Sequence, residues 1–346
     1  MLLWIEGFEG FGTTLNADPS PVGVVGRKYS VAHEDDMRVA TGRLGGYSLH
    51  YLIEAAIALY SPGLSTTDDT LVVGFATKFS STGNTCYLMC MYDGGNALGI
   101  NLRIIPTTGE LLIYRGSTLL KTTSGLGLLT GAWYYIELKV VCANSPNGSY
   151  EVRVGGINVL SATGVDTQVG AFAYHYKFGM TTTAGLNPYF DDIYCLDGSG
   201  AVNNDFLGNM RVIALRPDGD TAANAWTRSG GAENYDLVNE DICDDDTGYV
   251  ESAVSTTKDL YTYDAVASLA DSIKGVQINT MCRETDANSF SLVTVSKLGA
   301  TESNSAAAAI GTTNYVTKTR LMETDPTGNA WTIANVDAAQ FGIKVN

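Results

Sequence analysis

The run 131–141, Gly-Ala-Trp-Tyr-Tyr-Ile-Glu-Leu-Lys-Val-Val, followed by Asn147-Gly148 and by Ser149 to Gly156, constrains the fold more than any other stretch. Trp133, Tyr135, Glu137 and Lys139 fall on one face of an extended strand, and Tyr134, Ile136, Leu138 and Val140 on the other. That period of two is the mark of a half-buried strand. The second run alternates too. Asn-Gly accepts positive φ at little cost, so the chain reverses there, with Asn144-Ser145-Pro146 making the loop longer than a two-residue hairpin.

At 346 residues, with 45% apolar and 17% charged side chains, the chain is globular in composition and long enough for two ordinary cores. Its 38 glycines, 19 tyrosines and scattered Thr and Ser suit short strands and tight turns better than helices, so the expected class is all-β. A net charge of −16 argues against nucleic acid and against an anionic membrane surface as partners. Cysteines at 86, 90, 142, 195, 243 and 282 have neither zinc nor redox spacing and read as free thiols of a protein made in a reducing cytoplasm. Cys86 and Cys90, four apart in one strand, are expected on the same face. The first five residues are too short for a signal-peptide core, and no later stretch approaches a membrane span.

Strand-like runs follow at 71–79, 86–92, 98–105, 111–114, 133–141, 150–154 and 189–196, separated by Gly- and Asn-rich breakers, a spacing that points to a sandwich or barrel. Leu52 to Tyr60 reads as a further strand on context. The polar, turn-prone stretch 197–205 places a first domain at 1–198, a linker at 199–205 and a second domain at 206–346. Runs at 210–215, 258–263, 273–283, 290–297, 315–323 and 341–345 make the second domain a β-sandwich as well.

The hairpin at Trp133 to Leu138 and the closing run Phe190-Asp191-Asp192-Ile193-Tyr194 resemble the concanavalin A-like, laminin-G-like jelly roll. Together with Asn204-Asp205-Phe206-Leu207-Gly208, Asp244 to Val250, Ile273 to Gln277 and Ala339 to Val345, the chain resembles structural proteins of tailed bacteriophages. That resemblance implies a tail, fibre or capsid-surface component, located in the virion, made in the host cytoplasm and released by lysis. It implies assembly with other virion proteins as a homo-oligomer and no catalytic activity, with the second domain as an attachment or spacing module. The alternative is a module that binds a glycan of the host surface; a polysaccharide-degrading enzyme is the third reading.

Candidate site residues are few. Tyr174, Tyr176 and Phe178 share one face of a strand and would form a carbohydrate or protein contact if that face is exposed. Asp241, Asp244, Asp245 and Asp246, with Glu251, are the densest carboxylate cluster; they lack the EF-hand spacing, and calcium is the only cofactor they suggest. Adjacent Asp191 and Asp192 should face opposite sides of a strand, and the favoured reading is an acid that accepts backbone N–H groups of a neighbouring loop. The paired-acid strand of glucanases is absent; Glu233, Asp236 and Glu240 have the wrong period. Trp133 and Trp331 each open a strand-like run and are expected to pack beneath loops. His33, His50 and His175 read as ordinary residues.

Overall fold

The computed structural model describes residues 1–11, 27–32, 37–52, 57–80, 85–182, 186–266, 271–285, 290–311 and 314–346. They form two compact units, Met1–Val212 and Ile213–Asn346.

Among the described residues the first unit contains β1 (Leu2–Glu6), β2 (Ser30–Ala32), β3 (Met37–Thr41), β4 (Tyr47–Tyr51), β5 (Ile57–Tyr60), β6 (Thr70–Phe79), β7 (Cys86–Asp93), β8 (Leu98–Ile105), β9 (Glu110–Arg115), β10 (Thr118–Thr122), β11 (Tyr134–Val141), β12 (Gly148–Val154), β13 (Ile157–Val165), β14 (His175–Thr182) and β15 (Pro188–Asp197). An eight-stranded antiparallel sheet runs β13-β12-β11-β6-β15-β4-β3, with β1 also paired to β15. A seven-stranded sheet runs β10-β9-β8-β7-β14-β5-β2. Alternation dictates what meets between them. Phe75, Ile136, Leu138, Val140, Phe190 and Ile193 from the first sheet share one buried cluster with Leu88, Met91, Ile100, Leu102, Leu111, Ile113 and Phe178 from the second. The face assignment read for 133–141 holds, and the hairpin pairs Ile136 with Val154 through to Val141 with Ser149. Of the stretch Leu52 to Tyr60, Ile57–Tyr60 is strand and 53–56 lie outside the described residues.

Two local irregularities change which side chains face outward. Cys86 pairs with Ile104 and joins the core, but a register shift between Tyr87 and Met89 leaves Cys90 opposite Asn101 on the outer side. The two thiols therefore lie on opposite faces, against expectation. None of the six cysteines is in a disulfide. In β15 a second shift falls between Asp191 and Tyr194, where Asp192 takes φ +50°, and both aspartates end up buried.

In the second unit β16 (Pro217–Asn224), β17 (Thr227–Arg228), β18 (Val250–Glu251), β19 (Lys258–Tyr263), β20 (Val276–Cys282), β21 (Ser291–Leu298), β22 (Thr301–Asn304), β23 (Ala308–Ala309), β24 (Val316–Met322), α1 (Ile333–Ala338) and β25 (Gln340–Val345) are described. A six-stranded sheet runs β16-β19-β25-β21-β22, with β23 on β21; β17-β18 and β20-β24 are two-stranded ribbons. Phe341 and Tyr263 of the sheet pack with Met322, Val276 and Ile278 of the β20-β24 ribbon and with Val336 of α1. Trp331 is buried beside them, its indole N–H donating to the carbonyl of Met322 at 3.2 Å. The Thr332 hydroxyl caps α1 by accepting from the N–H of Asn335. Among the described residues the chain is thus all-β apart from short helical turns. Residues 210–215 form no ladder, and the first unit extends to Val212, past the linker suggested at 199–205.

Candidate functional site

The outer face of the seven-stranded sheet carries a row of aromatic rings that hold cations. Ile100, Leu102 and Ile104 point to the core, so Asn101 and Arg103 between them point out. Arg103 lies opposite Tyr87 on β7, and Asn101 opposite Tyr114 on β9. The guanidinium carbon of Arg103 sits 4.1 Å from the ring centre of Tyr87 and 3.8 Å from that of Tyr114. Its Nε donates to the Asn101 Oδ1 at 2.8 Å, and the Asn101 amide donates to the carbonyl of Gly116. The planar fork is therefore held by one amide and two rings.

Lys177 repeats the arrangement on the other side of β7. It lies opposite Tyr92, while Gly179, one step along the same face, lies opposite Tyr60. The Lys177 ammonium is 4.6 Å from the ring centre of Tyr60, 5.1 Å from Tyr92 and 5.8 Å from Tyr176. Burial lowers its pKa from the ordinary lysine value. Among the described residues no carboxylate pairs with Arg103 or Lys177; the ion pairs of the first unit use other cations. From strand spacings, five residues along β7 and two strands across put the two Cα atoms roughly 19 Å apart.

One end of this face is closed by the segment 166–174. Arg115 pairs with Asp166, Phe172 lies against Gly95 and Tyr174 against Gly94. Beneath it His175 faces Asp93 and comes so close to Gly99 that a Cβ there would meet the ring at 2.6 Å. Both ring nitrogens of His175 and the Asp93 Oδ2 are buried without partners. Burial pushes the His175 pKa down to about 4, against the opposing pull of Asp93.

The outer face of the eight-stranded sheet is used differently: its central acids hold the strap 206–212. The N–H of Gly208 donates to Glu137 Oε1 at 2.8 Å, the same oxygen that takes the Tyr194 hydroxyl. The N–H of Leu207 donates to that hydroxyl oxygen at 3.1 Å. Tyr194 lies flat over Gly74, where any side chain would strike its ring. Asp192 accepts from the N–H of Val212 at 2.8 Å and pairs with Arg43, whose guanidinium also reaches Asn209 and the carbonyl of Met210. Asp191 accepts from the N–H of Arg43 at 2.7 Å. Phe206 sits under Arg153, 3.9 Å from ring centre to guanidinium. Burial, then the neighbouring charge of Asp192, raises the Asp191 pKa to about 7; burial raises that of Asp192 as well. The expected role of these acids as backbone acceptors is what they perform, although they do not face opposite sides.

The residues singled out from sequence do not come together as one surface. Phe178 is fully buried, in edge contact with Trp4, so its reading as a contact residue is corrected. The register shift between His175 and Lys177 takes Tyr176 out of simple alternation. Tyr176 instead lies half-buried near Gly63, and Tyr174 stacks edge-on to Phe172. In the second unit Asp241 pairs with Arg216, Asp246 with Arg283 and the Tyr315 hydroxyl, Asp244 accepts from the N–H of Gly248, and Asp245 accepts from the Cys243 thiol. These carboxylates are turned to donors of the protein itself, and among the described residues no group of three or more His, Cys, Asp or Glu is placed to hold a metal ion. Sequence reading missed Arg103 and Lys177. For Arg103 the signal is present as tyrosines and a cation at outward positions of the strands predicted at 86–92, 98–105 and 111–114; Lys177 lies within the aromatic run 174–178.

No family model matches the sequence, and no curated protein is matched by it. Among solved structures the chain is similar to the marine PL-14 alginate lyase from Aplysia kurodai, with 13% identity, a TM-score of 0.42, and coverage of 57% of this chain and 99% of that one. It is similar to a Bacillus licheniformis β-glucanase at 12% identity, TM-score 0.37, covering 56% and 98%. It is similar also to the carbohydrate binding module CBM66 from Bacillus subtilis at 8% identity, TM-score 0.35, covering 49% and 96%. The jelly-roll β-sandwich is thus the shared feature. The expectation that the chain has no catalytic activity is withdrawn, since structures of this kind named as a lyase and a glucanase stand among its likenesses.

Proposed function

We propose that the first unit binds an acidic polysaccharide along the outer face of its seven-stranded sheet. The observation that supports this most is the charge state of that face. In a chain of net charge −16, Arg103 and Lys177 are held by aromatic rings in place of carboxylates, so their charge is left for a ligand. A uronate ring matches both elements, with a carboxylate for the cation and an apolar C–H face for tyrosine. Two cations some 19 Å apart suit a chain of several sugars better than a single one.

The test is calorimetric titration of the whole protein with oligogalacturonate and with a neutral cello-oligosaccharide of equal length. Binding of the acidic chain, weakened by salt and absent for the neutral one, supports the reading. Equal affinity for both overturns it.

Lys177 also favours a second reading, cleavage by elimination. A lysine whose proton is made easier to lose, set over tyrosine rings, suits removal of the proton beside a uronate carboxylate, with a tyrosine to protonate the departing glycosidic oxygen. Ultraviolet absorbance of the resulting double bond during incubation with polyuronate reads this directly. The virion assignment rests on sequence resemblance alone and is kept as a proposal about where such a glycan would be met.

A further inference from the structure

A separate cluster lies on the other sheet. On the outer face of the eight-stranded sheet His50 of β4 is opposite Tyr189 of β15, which is opposite Lys78 of β6. The His50 and Tyr189 rings are stacked, 3.9 Å between centres with 9° between planes. The Lys78 ammonium lies 4.0 Å from the Tyr189 ring centre and 5.0 Å from that of Trp133, which meets Tyr189 edge-on at 6.2 Å. Arg38 of β3 stands in register with His50. All four residues of the stack are half-buried.

Two features of this stack are unexplained by packing. Among the described residues no carboxylate pairs with Lys78, and the Nε2 atom of His50 is buried with no hydrogen-bond partner. Burial and the positive charges of Lys78 and Arg38 keep the imidazole neutral, with its pKa lowered to about 4. A cation and an unpartnered ring nitrogen beside aromatic surface lack the same thing, an anion that brings apolar atoms with it.

The geometry points to a second site for an acidic sugar on the eight-stranded sheet, in which Lys78 and His50 bind the carboxylate of a uronate and Trp133 covers its ring. This inference does not depend on the Arg103 and Lys177 face, which lies on the other sheet. It makes the unit bivalent for acidic glycan, so that two weak contacts act together on a long polymer.

The chain has three histidines, which makes the His50 ring resonance assignable by substitution. The experiment follows histidine ring resonances of the whole protein by NMR while trigalacturonate is added, and repeats the pH titration with the sugar saturating. The expected result is a saturable shift of the His50 signal and a rise of its pKa from about 4 by one unit or more, the effect of a carboxylate set beside it. Lys78→Gln should weaken this response about tenfold, Lys78→Arg should retain it, and a Arg103→Ala/Lys177→Ala double variant should leave it unchanged. An unmoved His50 signal in the wild-type protein overturns the inference, as does a response that vanishes only in the double variant. Should Lys78→Gln fail to fold, the wild-type titration and the double variant decide between the same two outcomes. Failure of this site with oligogalacturonate still bound at Arg103 and Lys177 would leave the proposed function standing.

Discussion

Glu137, in the middle of β11, accepts a 2.8 Å hydrogen bond from the backbone N–H of Gly208, 71 residues further along the chain. The same oxygen takes the Tyr194 hydroxyl, so one buried acid joins β11, the strand β15 that lies beyond β6 in the same sheet, and the strap that follows it. Glu137→Ala takes this acceptor from the buried Tyr194 hydroxyl and from the half-buried N–H of Gly208. The expected cost is about 2–4 kcal/mol of stability. Urea unfolding measures it, and limited proteolysis should show new cleavage within 199–212.

Arg103→Ala and Lys177→Ala should each weaken acidic-oligosaccharide binding about tenfold, the loss of one charge-assisted contact of about 1.5 kcal/mol. Both side chains lie on an outer sheet face, so the melting temperature should move little. Titration calorimetry and a thermal melt on the same samples separate the two effects.

His175 gives the protein an acid-sensitive element. Its folded pKa of about 4 lies below the ordinary value of 6.5, so the unfolded chain binds the proton first and stability falls as pH drops from 6.5 towards 4. The loss between pH 7 and pH 4.5 should approach about 2–3 kcal/mol from this residue. His175→Leu removes the titrating group together with its two unpartnered nitrogens. Its stability difference between the two pH values, read by denaturant unfolding, should be smaller than that of wild type by that amount.

Asp191 acts with the opposite sign. Its folded pKa of about 7 lies above the ordinary aspartate value of 3.8, so the folded protein holds the proton more tightly and stability rises as pH falls from above 7 into the range between these values. Asp191→Asn should flatten that rise. Melting curves at pH 8 and pH 5.5 for both proteins measure it, the interval lying mostly above the region where His175 titrates.

In the second unit Trp331→Ala should cost about 3–5 kcal/mol, because it opens a large cavity among Phe341, Met322 and Val336 and frees the carbonyl of Met322. Loss of buried-tryptophan near-ultraviolet circular dichroism with binding to acidic oligosaccharide retained would assign the damage to this unit.

Much of the fold was legible because burial on one side imposes a period of two. The faces of β11, the hairpin to β12 and most strands of the first unit follow from that pattern. It misleads where a ladder slips. Cys90, Tyr176 and Asp192 each sit at or beside an irregularity that one extra residue creates, and strict alternation gives the wrong orientation there. The acids of 241–246 drew attention by density, yet density says nothing of partners, and Arg216 and Arg283 are distant in sequence. The cations of the proposed site were overlooked for the converse reason. Arg103, Tyr87 and Tyr114 are unremarkable one at a time and become a unit only when three strands stand in register.

The strap has a practical meaning for dissecting the molecule. A fragment ended at residue 198, where composition suggests a border, would strip Glu137, Tyr194 and Asp192 of their backbone donors and lay bare a patch of buried acid. One ended at Val212 keeps every one of those donors, so the shortest autonomous form of the jelly roll reaches fifteen residues past the end of its last strand.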